Sequence, residues 1–277
     1  MTANIPSDNP GPAASKVEVD VSHRADNVVV VPVGTTGKQT HPEVGQEPAS
    51  APAEASLSLD TVKNDQEVQS YIRQANKNLG VLGFTEHGFR HVGLVSNIAR
   101  NTLRLLGYDA RQQELAAVSG YLHDIGNVVS RHGHAGTGAV MAYPILRRLG
   151  ASPEDTAIVL GAIGSHGDDS GRLGEPVHPV SAALILADKS DVHRSRVRNP
   201  DPTTFDQHDQ VNYAATSSFL RADSAAKTIT LELTIDTEVA PVMQYFEIFL
   251  PRMLMSRHAA ELLGCDFHIT INEVVVL

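Results

Sequence analysis

The sequence has no tryptophan and a single cysteine, Cys265, among its 277 residues. One thiol excludes an intramolecular disulfide and is typical of a reducing compartment, so we expect a cytoplasmic protein. Aromatic residues make up only 5% of the chain, yet 42% of the residues are apolar, which is enough for a sizeable core. The length fits one ordinary domain with additions, or two small domains.

Long apolar runs and an excess of positive charge are also missing. No apolar stretch approaches the roughly 18 residues of a membrane span, and no N-terminal basic-plus-apolar signal stands out. The formal net charge of −10 argues against a partner that is a nucleic-acid polymer or an anionic membrane. A small anionic ligand held in a locally basic pocket is compatible with this charge.

Residues 1–58 differ in composition from the rest. Seven of the 15 prolines lie there, among Ala, Ser, Thr, Gly and Glu. Such a segment buries too little apolar surface to offset its chain entropy, which predicts a disordered tail. The run from Val28 to Gly34 could instead be an edge strand or a docking segment, although a sticky patch in a flexible tail is the favoured interpretation.

A helical pattern extends from about Asp65 to Arg198. The first predicted helix, in "HVGLVSNIARNTLRLLG", places on one face Leu94, Val95, Ile98, Thr102 and Leu105. The third is expected to bend or restart near Pro144. Ser152 and Pro153 are a strong start signal for the fourth. The fifth is predicted to run through "PVSAALILADKSDVHRSRVRN".

After about residue 203 the period changes to that of a strand. "ITLELTID" alternates apolar and polar residues, and "VNYAATSSFLRAD" is expected to pair with it as a hairpin. A long helix from Val239 to Leu263, interrupted at Pro251, and a final strand in "FHITINEVVVL" complete this part. The prediction is a mainly α protein with a disordered tail (1–58), a helical domain (66–200) and a small α+β unit (203–277). That unit is expected to cover a site or to form a homodimer interface.

Each predicted helix of the helical domain carries a His or Asp where it faces the core or ends. These residues are His91, the pair His123 and Asp124, His134, His166 and Asp188. Asp188 follows the apolar run "AALILA", and a buried carboxylate needs a cation. Lys189 is adjacent, but neighbouring helical residues point in different directions, so a divalent metal is the preferred partner.

A single histidine on an apolar face is most often a hydrogen-bonded core residue, so the force of the pattern lies in the set. Imidazoles and carboxylates together suit Mn, Fe, Co, Ni or Zn, and Mg if oxygen ligands dominate. We therefore expect divalent metal ions as the cofactor, two rather than one.

The order H…HD…H…H…D on successive helices resembles the HD-domain superfamily of metal-dependent phosphohydrolases. The pieces that match are "EHGFRHVGLVSNIA", "GYLHDIGN", "HAGTG", "IGSHGD" and "LILADKSDV", over roughly residues 66–198. The resemblance implies an HD-type helical bundle. It also implies a first metal held by His91, His123, Asp124 and Asp188, and a second held by His134 and His166, with Asp124 bridging the two.

Two ligand choices stay open, and the chain departs from the family at one notable place. His87 competes with His91, which is preferred because "HVGLV" resembles the first motif of the family. His132 competes with His134, which is preferred for its spacing from a glycine four residues on. Asn127 stands where many relatives have Lys after "HDIG", which removes one positive charge from the rim of the site.

The resemblance implies an enzyme, a phosphomonoesterase or phosphodiesterase that uses metal-activated water on a nucleotide or another small phosphorylated metabolite. Asp124 and Lys189 are the predicted catalytic residues. Lys189 and Arg194 are the predicted phosphate contacts, with Arg90 a weaker candidate, while Arg196 and Arg198 are expected at a solvated helix end. The alternatives are a di-iron oxygenase of the same superfamily and a non-catalytic regulatory or ligand-binding protein.

Overall fold

The structure is a computed structural model that describes residues 57–167 and 173–276. The predicted disorder of the tail and the alternative strand at Val28 lie outside the described residues, apart from the last two positions of the tail. Those two are ordered, because Leu57 is buried and the Ser58 side chain caps the first helix. The helical unit therefore begins before residue 66, where it was predicted to start.

The first seven helices form a bundle. They are α1 (Leu59–Asn64), α2 (Gln66–Val81), α3 (Phe89–Leu105), α4 (Ala110–Leu122), α5 (His134–Arg148), α6 (Pro153–Gly164) and α7 (Pro179–Ser190). A 3-10 turn, Ile125–Val128, follows α4 directly. The start signal of α6 is confirmed, since the Ser152 side chain accepts a hydrogen bond from the Asp155 backbone N–H at 3.0 Å.

Helices α4 and α7 lie at the centre of this bundle. Every residue from Leu115 to Leu122 in α4 and from Val180 to Ala187 in α7 is buried. A helix that is apolar all round must have neighbours on all sides, and α7 contacts α3, α4 and α6. On α3 the predicted stripe is partly wrong: Leu94 and Leu105 are only half-buried, whereas Val92 and Leu103 are buried.

The predicted fifth helix is too long at its C-terminal end. Helix α7 ends at Ser190, and Asp191 leaves the helical conformation with φ −80° and ψ 80°. A short 3-10 turn, Arg194–Arg196, follows. The Asp191 side chain is held there by hydrogen bonds with Arg90 and His91 and by an ion pair with Arg196, which favour the break over continuation of the helix.

The α+β unit is confirmed, with changes in its boundaries. It contains a 3-10 turn (Pro202–Thr204), α8 (Gln207–Ala214), β1 (Ala215–Asp223), β2 (Thr228–Ile235), α9 (Val242–Leu262), β3 (Asp266–Ile271) and β4 (Val274–Val275). The sheet order is β1-β2-β3-β4, with β1 antiparallel to β2, β2 parallel to β3, and β3 antiparallel to β4. The predicted hairpin therefore exists, although the "VNYA" of its first strand belongs to α8. The final segment forms two strands instead of one.

Prolines do not divide the two helices where breaks were predicted. Pro144 lies inside α5 and Pro251 lies inside α9. Proline removes one helical hydrogen bond, but the buried Phe249 and Met253 lie on either side of Pro251. Core packing of both halves thus keeps α9 as one element.

The two units share one core. Helix α9 packs on α7, and β1 contacts both α3 and α7. Two hydrogen bonds fix β1 to the end of α7: Ser218 Oγ donates to the Ser190 carbonyl at 2.6 Å, and Nε2 of His193 lies 3.1 Å from the Thr216 carbonyl. Among the described residues, no helix is both long and apolar enough to cross a membrane.

Candidate metal centre

The six predicted ligands meet at one place inside the helical bundle. His91 lies on α3, the pair His123 and Asp124 follows α4, and His134 begins α5. His166 lies just beyond α6, and Asp188 is on the last turn of α7. The four histidines are at most 3% exposed. The side chains of the six residues form three overlapping groups, and within each group the potential ligand atoms lie within 4.8 Å of one another.

The histidine rings are oriented through their Nδ1 atoms. Nδ1 of His123 lies 2.8 Å from the Gly120 carbonyl, Nδ1 of His134 lies 3.0 Å from that of Arg131, and Nδ1 of His166 lies 2.6 Å from that of Ile163. A carbonyl oxygen only accepts hydrogen bonds, so Nδ1 carries the proton in each ring. In the neutral rings Nε2 therefore presents its lone pair to the centre, as a metal ligand must.

The Nε2 atoms converge in two pairs. Nε2 of His134 lies 3.2 Å from Nε2 of His166, and Nε2 of His91 lies 3.2 Å from Nε2 of His123. Two neutral imidazoles with their lone pairs face to face repel each other unless a cation lies between or beside them. Each pair therefore supplies two of the ligands of a candidate cation site.

Asp124 stands between the two pairs. Its Oδ2 lies 3.3 Å from Nε2 of His123 and 3.6 Å from that of His91. Its Oδ1 lies 3.6 Å from Nε2 of His134 and 4.0 Å from that of His166. The two carboxylate oxygens thus serve different halves, which is the arrangement expected of a bridging ligand.

In the described part of the chain, one oxygen of Asp124 has only histidine nitrogens beside it. Its Oδ2 is buried and accepts no hydrogen bond from the described residues. The ion-pair partners found for Asp124 in that part of the chain are all histidines. A buried carboxylate oxygen without a donor costs free energy, and a divalent ion beside Oδ2 would remove that cost.

Asp188 completes the first half, and here one prediction is wrong. Its Oδ1 lies 3.4 Å from Nε2 of His91 and 3.6 Å from Nε2 of His123, as predicted for a ligand. Its Oδ2, however, lies 2.8 Å from Nζ of Lys189, although the two residues are adjacent in sequence. The pairing is possible because α7 ends two residues later and the long lysine side chain can turn back.

Asp191 is a component of the site that the sequence did not reveal. Its Oδ2 lies 2.7 Å from Nδ1 of His91, and Arg90 and Arg196 form ion pairs with the same carboxylate. Arg196 also donates to the backbone carbonyls of Asp191 and Glu86. A second acid one turn after Asp188 in a buried helix was the available signal, and the prediction of a longer helix hid it.

The three arginines that follow Asp191 lie in different environments, and the environment of Arg196 is not the one predicted. Arg196 was expected at a solvated helix end, but it is 2% exposed, because it neutralises the buried Asp191. Arg198 is exposed. The guanidinium of Arg194 lies over the ring of Tyr213, 5.1 Å from its centroid, and 4.0 Å from Asp236. The described contacts of Arg194 therefore lead to the α+β unit, and its role as a phosphate contact stays a prediction.

In both ligand choices left open by the sequence, the geometry favours the residue that was preferred, His91 and His134. His91 contributes Nε2 to the cluster, whereas Nδ1 of His87 lies 2.7 Å from the Thr85 carbonyl and its ring contacts His91 edge-on, 5.3 Å between centroids. His134 is buried in the cluster, whereas His132 is exposed. His87 is buried beside the site without joining the groups of candidate ligands.

Glycine brings His134 to the cluster. A side chain on Gly126 would meet the backbone carbonyl of His134, and it would lie 2.6 Å from the Gly138 nitrogen. The turn after the His-Asp pair and the first turn of α5 therefore approach backbone to backbone, which only glycine permits at position 126. Asn127 holds the same turn, because its Nδ2 donates to Oδ1 of Asp124 at 2.8 Å.

The charges of the site favour ionised carboxylates. Burial raises the pKa of Asp124, but the surrounding histidines, His123 above all, outweigh burial and hold that pKa well below its usual value. Burial also raises the pKa of Asp188, and Lys189 and His123 reverse the effect. Burial, with the nearby positive charge of His123, lowers the pKa of His166 well below its usual value.

The pKa of His123 shows that this part of the site stabilises a positive charge. Burial lowers its pKa, but the carboxylates of Asp124 and Asp188 outweigh burial and raise it to about 10. A proton on His123 thus supplies the positive charge that a metal would supply. The donor set of imidazole nitrogens and carboxylate oxygens fits a divalent transition metal.

Two comparisons relate this site to known proteins. Residues 88–193 match a family model described as HD domain, a range that includes all six predicted ligands. A protein of Methanocaldococcus jannaschii described as "Uncharacterized protein MJ1020" is 26% identical over an alignment of 212 residues, which covers 68% of this chain and 80% of that protein. The resemblance noted in the sequence is therefore confirmed over residues 88–193.

Proposed function

Because residues 88–193 form an HD domain, which implies a metal-dependent hydrolase-like family, we propose that this chain is a phosphohydrolase with two divalent metal ions. It would cleave a phosphomonoester or phosphodiester bond in a nucleotide or another small phosphorylated metabolite. The observation that carries the proposal is the position of Asp124, with one oxygen toward each pair of histidines.

Two ions held this way supply an activated water and stabilise charge that develops on the phosphoryl oxygens. His91, His123 and Asp188 would hold the first ion, and His134 and His166 the second. Asp124 would be a ligand to both, because its two carboxylate oxygens face different pairs of histidines.

Hydrogen bonds within the protein would hold the ligands in the orientation that this chemistry needs. The Nδ1 hydrogen bonds fix the ring orientations, so that each Nε2 is directed inward before any ion arrives. Because the cluster is buried, ions bound there would attract an anionic substrate more strongly than ions in bulk water would. Lys189 is 5% exposed and is bonded to Asp188. We propose that it holds this ligand and adds positive charge toward the substrate.

A small substrate agrees with the composition better than a polymer does. The net charge of −10 opposes long anionic partners, whereas the positive groups near the site are buried or partly buried and act locally.

Elemental analysis is the first test, on protein purified without chelator and without a histidine tag. About two ions per chain, mostly Mn, Co, Ni or Zn, would support the proposal and justify a screen of phosphate esters, with an Asp124→Ala variant as the background control. Two irons per chain together with consumption of dioxygen would replace the hydrolase by an oxygenase. Absence of metal after reconstitution would replace it by a binding protein.

A further inference from the structure

Arg131 lies in the turn between the Ile125–Val128 3-10 helix and α5, three residues before the ligand His134. Unlike Arg90, Arg111 and Arg148, it forms no ion pair with a carboxylate in the part of the chain that the structure describes. Its guanidinium lies over the ring of Phe84, 5.3 Å from the centroid. An aromatic ring orients a guanidinium without cancelling its charge.

Two contacts tie Arg131 to the second half of the metal centre. Its backbone carbonyl accepts the hydrogen bond from Nδ1 of His134. Its Nη1 lies 3.5 Å from Oδ1 of Asn127, whose Nδ2 donates to Oδ1 of Asp124 at 2.8 Å. Oδ1 is the oxygen of Asp124 that faces His134 and His166. The guanidinium is thus one side chain removed from the bridging carboxylate.

Arg131 differs from the other cation of the site in having no carboxylate partner among the described residues. Lys189, the cation of the first half, is already paired with Asp188.

From this arrangement we infer that Arg131 binds the phosphate oxygens of the substrate, and of the phosphate released, on the side of the His134 and His166 pair. The inference rests on the proposed function and extends it by naming a substrate contact. A guanidinium binds phosphate through two parallel hydrogen bonds, and this one is not committed to a carboxylate among the described residues. It also restores the positive charge that Asn127 does not supply.

The test is the binding of inorganic phosphate to metal-reconstituted full-length protein, measured by isothermal titration calorimetry. It is combined with steady-state kinetics on p-nitrophenyl phosphate. Arg131→Met removes the charge, and Arg131→Lys keeps the charge but loses the paired hydrogen bonds. We expect Arg131→Met to weaken phosphate binding and to raise KM by about 10- to 100-fold, with kcat less affected and Arg131→Lys in between.

Arg73→Met is the matched control. In the wild type, the guanidinium of Arg73 also lies over an exposed phenylalanine, Phe89, at 5.9 Å from the ring centroid, and it donates a hydrogen bond to Ser70 Oγ. The control should bind phosphate and turn over substrate like the wild type. Metal content is measured in every variant.

Three outcomes would overturn the inference: phosphate affinity unchanged in Arg131→Met, the same loss in Arg73→Met, or loss of metal together with phosphate binding. The last would make Arg131 a support for the metals. Failure of the proposed function is a different result. A wild type that binds phosphate through Arg131 but hydrolyses no ester would contradict the hydrolase and leave the phosphate contact in place.

Discussion

Oδ2 of Asp191 lies 2.7 Å from Nδ1 of His91, a contact between residues 100 positions apart in the sequence. An ionised carboxylate behind a ligating histidine fixes its tautomer and makes Nε2 a stronger donor to metal. Burial raises the pKa of Asp191, but Arg196, His91 and Arg90 outweigh burial and hold that pKa well below its usual value. Asp191 is therefore charged, and it would act through His91 on a metal bound there.

We expect Asp191→Asn to weaken metal binding in the first half of the site by about 10- to 100-fold, because the amide is a poorer acceptor for the His91 proton. Metal titration with a fluorescent chelator measures the effect. Asp155→Asn is the control, since Asp155 pairs with Arg111 without contacting any ligand. Equal metal affinity in the Asp191 variant and the wild type would show that the contact is purely structural.

Asp124→Ala removes the carboxylate that faces both pairs of histidines. We expect the variant to lose at least one metal ion and nearly all turnover, while its helical circular dichroism signal stays the same. Asp109→Ala provides the comparison, because it removes an acid from the N-cap of α4, the helix that precedes Asp124. This variant should keep the full metal content. An Asp124 variant with unchanged metal content and rate would contradict the assignment of the site.

Metal binding should depend on pH with a definite sign. The raised pKa of His123, about 10, means that at pH 7 a metal must displace a proton from this ring. Apparent metal affinity should therefore increase about tenfold per pH unit between pH 6.5 and 8.5. Calorimetry in buffers of different ionisation enthalpy should show about one proton released per ion in the first half. His258→Gln, an exposed histidine, should leave the proton count unchanged. Binding without proton release would mean that His123 is neutral before the metal arrives.

Gly126→Ala tests the close approach that brings His134 into the cluster. The added methyl would meet backbone on α5 and not a movable side chain, so we expect a loss of about 3 kcal/mol in the free energy of unfolding. Binding of the second metal should weaken in parallel. Gly136→Ala, on the same helix with no atom within 4 Å of the new methyl, should raise that free energy by about 0.5 kcal/mol. Chemical denaturation measures both, and similar stabilities would contradict the predicted contact.

The convergence of these six His and Asp side chains could be predicted from the sequence, because each lies in a local pattern that indicates burial. His91 shares a buried face with Val95 and Ile98, and Asp188 ends a run of apolar residues, so burial could be inferred from local pattern alone. The alternation in β2 is confirmed for the same reason: Ile229, Leu231, Leu233 and Ile235 are all buried.

What the sequence did not predict depends on contacts between distant segments. The place where α7 ends is set by the bonds of Asp191 to α3, and the burial of Arg196 follows from that same carboxylate. The course of α9 through Pro251 depends on packing against α7. The pairing of Lys189 with Asp188 depends on side-chain conformation near a helix end, which spacing along a helix does not describe.

The sharing of α7 between the two units has a consequence for how the protein is made. The helix that carries Asp188 is packed on one side by α3 and α4 and on another by α9, which ends at Leu262. During synthesis the segment that matches the HD-domain model leaves the ribosome while α9 is still to be translated, so one apolar face of α7 is not yet covered. We expect the metal centre to reach its final affinity only when nearly the whole chain has emerged.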